Sequence, residues 1–285
     1  GLALTIIDNG YMGFDSISLL NFDERFEITK SPMRLLPMGK THLPESSRLG
    51  ASEIAASGYA LAFYHEDGAR QLSFHMDNFR GKDAIEGIIT LTDEPIESIV
   101  IATPFDKPGH FYYNQKINCL RASGWVELGG EKFELTPDRF FAVLDWGRGV
   151  TYHNTWYWSS ASGELDGVPF GWNLGYGFGD TSAATENALF YNGTLHKLEH
   201  INFEIPIKDG KADFLAPWRF TSSDGRFEMQ FQPILDRAAC TDLKLLKSDQ
   251  HQVFGKFSGT AVLDDGSVLS VRDFFGFAEK VENKW

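Results

Sequence analysis

Along most of the chain, apolar and polar positions alternate with a period of two, the spacing of a half-buried strand rather than a helix. The alternation breaks at short polar dipeptides. HEDGAR (65–70), ELGGEK (127–132), KDGKAD (208–213), SSDGRF (222–227) and LDDGSV (263–268) each set Asp-Gly or Gly-Gly between two such runs. These dipeptides supply the positive φ angles of tight hairpin turns. ALFYNGTLHKLEHINFEI (188–205) places Asn192-Gly193 at a hairpin tip, and the glycosylation sequon spelled by Asn192-Gly193-Thr194 is explained by the turn without sugar. TAVLDDGSVLSVRDFFGFAEKV (260–281) reads as an antiparallel pair. Helical spacing is scarce. TSAATENAL (181–189) can open one short helix, with Thr181 or Ser182 as its cap. SPMRLLPMGKTHLPESSRLG (31–50) carries three of the 11 prolines and reads as a long loop. The pattern predicts an all-β chain of antiparallel sheets with many hairpins and few short helices.

Length turns this into an architecture. A chain of 285 residues is one large domain or two of ordinary size, and two smaller barrels or sandwiches are the more natural all-β solution. Aromatic residues reach 14%, with 24 Phe, so rings are plentiful enough to fill a core or line a hollow. The formal charge of −13 repels phosphate backbones and anionic lipid, which speaks against a nucleic-acid partner. No stretch approaches 18 uncharged apolar residues, so no transmembrane segment is expected. Cys119 and Cys240 form no CxxC and read as two buried thiols, neither a disulfide scaffold nor a zinc ribbon. The chain opens at Gly1 directly into the strand-like LALTIID, as a chain whose first segment is missing would; a cytoplasmic protein is expected.

Candidate chemistry concentrates between Phe140 and Asp180. In FFAVLDWGRG (140–149), Trp146 and Arg148 share one face and Asp145 the other, while Gly147 and Gly149 permit a bulge that re-aims either charge. An acid inside such an apolar run has to be paired, neutralised or at a sheet end. Asp145 is therefore a structural partner of Arg148, a turn residue, or a carboxyl in an aromatic pocket, raised in pKa and able to act as an acid. YHNTWYWSS (152–160) puts Trp156 and Trp158 on one face, with Tyr157 and His153 of the other parity. Tyr157 offers a phenol and His153 a proton carrier, though adjacent strand aromatics also serve as core. In FGWNLGYGFGD (170–180) the even positions Phe170, Trp172, Leu174, Tyr176 and Phe178 are large, and the odd ones are glycine except for Asn173. Alternate glycines mark a sharply coiled barrel strand or a surface where another backbone or a ligand comes close. His196 and His200 lie about 13 Å apart on a strand and cannot share one ion, so no metal site is expected. No dinucleotide or phosphate-loop pattern is present, and no cofactor is expected.

With these segments in view, FYYNQKINCLRASGWVELGGEKFELTPDRFFAVLDWGRG (111–149) resembles a stretch of carotenoid 1,2-hydratase and AttH-like proteins. The resemblance is closer to a bacterial and fungal domain-of-unknown-function family in the same lipocalin-like superfamily. FYYNQKINC, LDWGRG, WYW, FGWNLGYGFGD, ATEN, HKL, DGRF, FQPILDR, HQVFGKFSG and GFAE carry it, from about residue 105 onward. It implies two lipocalin-like β-barrel or sandwich domains, 1–150 and 151–285, with a pocket for an apolar ligand. It also implies metal-free hydration or cyclisation of unsaturated hydrophobic substrates, as in the wider superfamily. Asp145 holds the acidic place of an acidic–Trp–Gly signature; the hydratases carry a second acid two positions earlier, where this chain has Val143.

Three functions remain open on these residues. In the first, Asp145 or Tyr157 protonates an apolar unsaturated small molecule. Trp146, Trp156, Trp158, Trp172 and Tyr176 line the hollow, and Arg148, His153 and Asn173 orient a polar end. In the second, the same cavity carries or senses a lipid or isoprenoid without chemistry. In the third, exposed tryptophans and an Asp145–Asp180 pair about 5–9 Å apart act on a glycan.

Overall fold

The computed structural model describes residues 1–66, 68–243 and 246–284. All regular elements among them are strands, arranged in curled antiparallel half-barrels of the lipocalin-like class. The hairpins fall at the expected dipeptides. Asn192-Gly193 joins Ala188–Tyr191 to Thr194–Lys197 with φ of 50° and 82°, the two positive angles that a two-residue turn matching strand twist requires. Asp209-Gly210 repeats this with 51° and 77°.

Three expectations need correction. Residues 181–189 form no helix: a loop runs to Asn187, and the strand Ala188–Tyr191 follows. Side chains take the backbone groups that a helix would use. Asp180 accepts from the Ser182 amide at 2.9 Å, and Asn173 Nδ2 donates to the Glu186 carbonyl at 3.0 Å. Cys240 is exposed, unlike the buried Cys119, because both parities of its strand leave the core there: Ala238 and Ala239 beside it are exposed as well. The 31–50 loop contains one short strand, Met33–Leu35.

Contacts along the chain define two units, one of Gly1–Glu94 with Leu120–Ala142 and one of Pro95–Cys119 with Val143–Trp285. In the first, Leu2–Asp8, Met12–Asn21 and Phe26–Lys30 pair in order, with Met33–Leu35 added against Met12–Asn21. A second sheet runs through Ala51–Ala56, Tyr59–Glu66, Ala69–Arg80, Asp83–Thr92, residues 120–128 and Glu131–Leu135. Leu61, Phe74, Phe79 and Ile85 are buried in it.

The second unit is built on one nine-stranded sheet. Its centre runs Val168–Tyr176, Asn154–Leu165, Val268–Lys284, Leu246–Val262 and Phe227–Leu243. Period-two alternation sorts its side chains onto two faces. One face is a closed aromatic core. Trp172, fully buried, lies 5.0–5.4 Å from the rings of Phe227, Phe257 and Phe274, and Phe170, Phe220 and Phe231 complete the packing. The other face carries Gly171, Asn173 and Gly175 on one strand, Trp156, Trp158 and Ser160 on the next, then Glu279 and Gln252.

Candidate functional site

Glycine makes room on that second face. A Cβ at Gly171 would stand 2.3 Å from the Ala161 carbonyl and 2.9 Å from Cys119 Sγ; one at Gly175 would stand 2.3 Å from Glu186 Oε1. The bare strand is closely approached here, by Asn118 and Cys119 and by the loop bearing Glu186. Alternation in FYYNQKINC turns Tyr112, Asn114, Lys116 and Asn118 the same way. Asn118 Nδ2 pins this segment to the sheet, donating to Ser160 Oγ and the Trp172 carbonyl, each at 2.8 Å.

A buried charge cluster results. Lys116, 4% exposed, lies with Nζ 2.6 Å from Asp145 Oδ1 and 4.2 Å from the centre of the Trp158 ring. Burial opposes its charge. Asp145, Glu186 and Glu279 outweigh that cost and hold the ammonium above its ordinary pKa. Glu279, also 4% exposed, accepts from Trp156 Nε1 and Gln252 Nε2, both at 2.9 Å. Burial pushes its carboxyl up to about 7, against the opposing pull of Trp156, Lys116, Gln252 and Arg237. Glu186 Oε2 accepts from Asn114 at 3.2 Å. Trp158 donates to Asn173 Oδ1 at 2.7 Å. Tyr112 is held well above the ordinary phenol range, first by burial and then by Asp145 and Glu186. Its ring packs edge-on against Phe178 at 4.6 Å. A carboxyl that is half protonated near neutrality, between an indole N–H and a neighbouring ammonium, can give a proton and take it back.

The structure brings together Asp145, Trp156, Trp158 and Asn173 from the expected set. The partner of Asp145 is Lys116 rather than Arg148, and its side chain is 37% exposed, at the edge of the cluster rather than inside it. Trp146 is half-buried, edge-on to Tyr113 at 5.7 Å. Arg148 and His153 are exposed. Tyr157 and Tyr176 stack on each other at 4.5 Å on the core face, the same face as Trp172. Lys116, Glu186, Glu279 and Tyr112 are additions that the fold makes to the expected set. Among the described residues, no group of three or more His, Cys, Asp or Glu side chains is placed to hold a metal ion.

A family model described as a domain of unknown function, DUF2804, matches residues 1–285. No curated protein matches the sequence. Solved structures that resemble the fold include the following two. Kievitone hydratase from Nectria haematococca aligns over 98% of this chain and 83% of its own, with TM-score 0.53 and 13% identity. An AttH protein from Nitrosomonas europaea aligns over 94% and 80%, with TM-score 0.56 and 13% identity.

Proposed function

The chain belongs to the DUF2804 family, and we propose that it binds an apolar, unsaturated small molecule and adds a proton to it from Glu279. One observation carries this reading: a carboxyl buried among indoles, raised to about 7, beside a buried ammonium. The reaction class is drawn from the hydratase among the fold neighbours. In the proposed step the proton of Glu279 adds to one alkene carbon, leaving a cation on the other and a carboxylate on Glu279. Lys116 stabilises that carboxylate, and the faces of Trp156 and Trp158 stabilise the cation. Water then adds to the cation and loses a proton, which returns to Glu279. In an isomerisation or cyclisation the proton leaves carbon instead. Asp145, the acid that the sequence pattern favours, acts here as counter-ion to Lys116. Tyr157, Trp172 and Tyr176 belong to the core face and take no part. The glycan reading loses its support, because Trp172 is fully buried and Trp156 and Trp158 are half-buried.

The test is turnover of a panel of prenylated phenols, polyenes and terpenoid alkenes in H2(18)O and in D2O, read by mass spectrometry. Hydration incorporates the heavy oxygen; isomerisation or cyclisation incorporates deuterium at carbon. Glu279→Gln is expected to abolish incorporation while compounds still co-purify with the protein. Undiminished incorporation by that variant overturns the assignment of the acid. A co-purified compound returned unchanged by the parent protein establishes a carrier instead.

A further inference from the structure

The first unit carries an apolar surface that its own core does not use. Tyr11, Met33, Leu35, Leu36, Met38 and Leu49 are 47–72% exposed. The first five are gathered at one place. Leu36 N donates to the Tyr11 carbonyl at 2.9 Å and Met38 N to the Gly10 carbonyl at 2.8 Å, tying the loop to the hairpin tip. Met33 and Leu35 pair across the sheet with Phe14 and Met12.

This loop is anchored rather than loose. Arg34 reaches back with Nε 2.7 Å and Nη2 2.9 Å from the two oxygens of Asp15, which is fully buried. Its Nη1 donates to Thr41 Oγ1 at 2.8 Å, and Thr41 donates to Asp8 Oδ2 at 2.6 Å. Tyr59 OH donates to Asp15 from the second sheet at 2.9 Å. Leu36 and Met38 adopt φ of 52° and 51°, a region that bulky residues disfavour. The fold thus holds two strained positions while leaving their apolar side chains in water. Such strain points to a use outside the fold.

Charge says what covers this surface. The chain as a whole carries −13, but residues 30–48 hold Lys30, Arg34, Lys40 and Arg48 against Glu45 alone. Lys30, Lys40 and Arg48 are exposed; Arg34 is spent on Asp15, and Asp8 is turned onto Thr41 and nearby backbone amides. Charges farther off than about 8 Å are screened at physiological salt, so the local cations govern contact. Apolar side chains rimmed by cations suit a bilayer interface, with Leu and Met entering the acyl boundary and Lys and Arg at the headgroups. We propose that the 33–49 loop with the 8–12 hairpin tip docks the protein on an anionic lipid bilayer. This inference is independent of the chemistry at Glu279.

The test uses the full chain and vesicles of an equal mixture of phosphatidylcholine and phosphatidylglycerol at physiological salt. The protein is expected to sediment with the vesicles. The Leu35→Ser/Leu36→Ser/Met38→Ser variant is expected to lose at least about tenfold in partition, from the apolar area withdrawn. In a Cys240→Ser background, an environment-sensitive dye on Met38→Cys should brighten and shift to the blue on the same vesicles. That single substitution decides the matter if the triple variant does not fold. Absence of sedimentation with no dye response overturns the proposal, as does unchanged partition of a folded triple variant. A parent protein that sediments as a dimer and becomes monomeric on triple substitution assigns the surface to a second copy, and also overturns it.

Discussion

Neutralising Glu279 gives a quantitative test of the buried cluster. Its carboxyl stands at about 7 in the folded protein against 4.5 for the free side chain. Below pH 4.5 the group is protonated in both states and contributes nothing to the pH dependence. As pH rises from 4.5 to 7 the unfolded chain ionises first, so Glu279 progressively destabilises the fold; above about 7 the full penalty applies. At roughly 1.4 kcal/mol per pH unit, this penalty is about 3 kcal/mol, of which about 2–3 kcal/mol develops between pH 5 and pH 8. Glu279→Gln removes the titration and keeps the shape, with the Gln252 amide turning to meet the new amide. Urea unfolding followed by tryptophan fluorescence reads the right part of the molecule, since Trp146, Trp156, Trp158, Trp172 and Trp218 all lie in the second unit. The stability of the variant relative to the parent should grow by that amount from pH 5 to pH 8. Parallel pH curves for the two proteins would refute a raised carboxyl at this position.

Lys116→Met removes a charge that holds Glu279 down, so the alkaline limb of any acid-dependent turnover should move to higher pH, read from a rate–pH profile. Gly171→Ala forces a Cβ against the backbone carbonyl of Ala161, which cannot swing aside, and should cost about 1–3 kcal/mol in urea unfolding; an unchanged midpoint would mean that the strands do not approach so closely there. Trp172→Ala should cost about 3–5 kcal/mol, the range for emptying a packed aromatic site, measured the same way. Arg34→Met takes the guanidinium from the buried Asp15, leaving it the Tyr59 hydroxyl, and should cost about 3–5 kcal/mol, read by urea unfolding followed by circular dichroism.

Turns and faces were open to reading because they obey local rules. Asn192-Gly193 and Asp209-Gly210 need only their own φ angles to make a hairpin, and the parity of Trp156, Trp158 and Asn173 follows from the period of a strand. Which face meets the core is not local. Trp172 and Asn173 are neighbours, yet one is sealed among phenylalanines and the other bonds to Trp158, a choice made by strands more than fifty residues away. The short helix is missing because Asn173, on the adjacent strand, captures the carbonyl of Glu186. The site was half legible. An acid inside an apolar run must be paired or neutralised, which singles out Asp145 and equally Glu279 in FFGFAEKV (274–281). Glu186 and Glu279 also lie in ATEN and GFAE, two of the segments that carry the family resemblance. Lys116 was the hard one, because a lysine between Gln115 and Ile117 gives no local sign of the carboxylates that gather around it.

One strand, Phe111–Leu128, has its first nine residues in one unit and its remainder in the other. No single cut in the gene separates the two units. A fragment beginning after residue 142 would leave behind Asn114, Lys116 and Asn118, stripping the lysine from beside Glu279 and baring the face of Trp158.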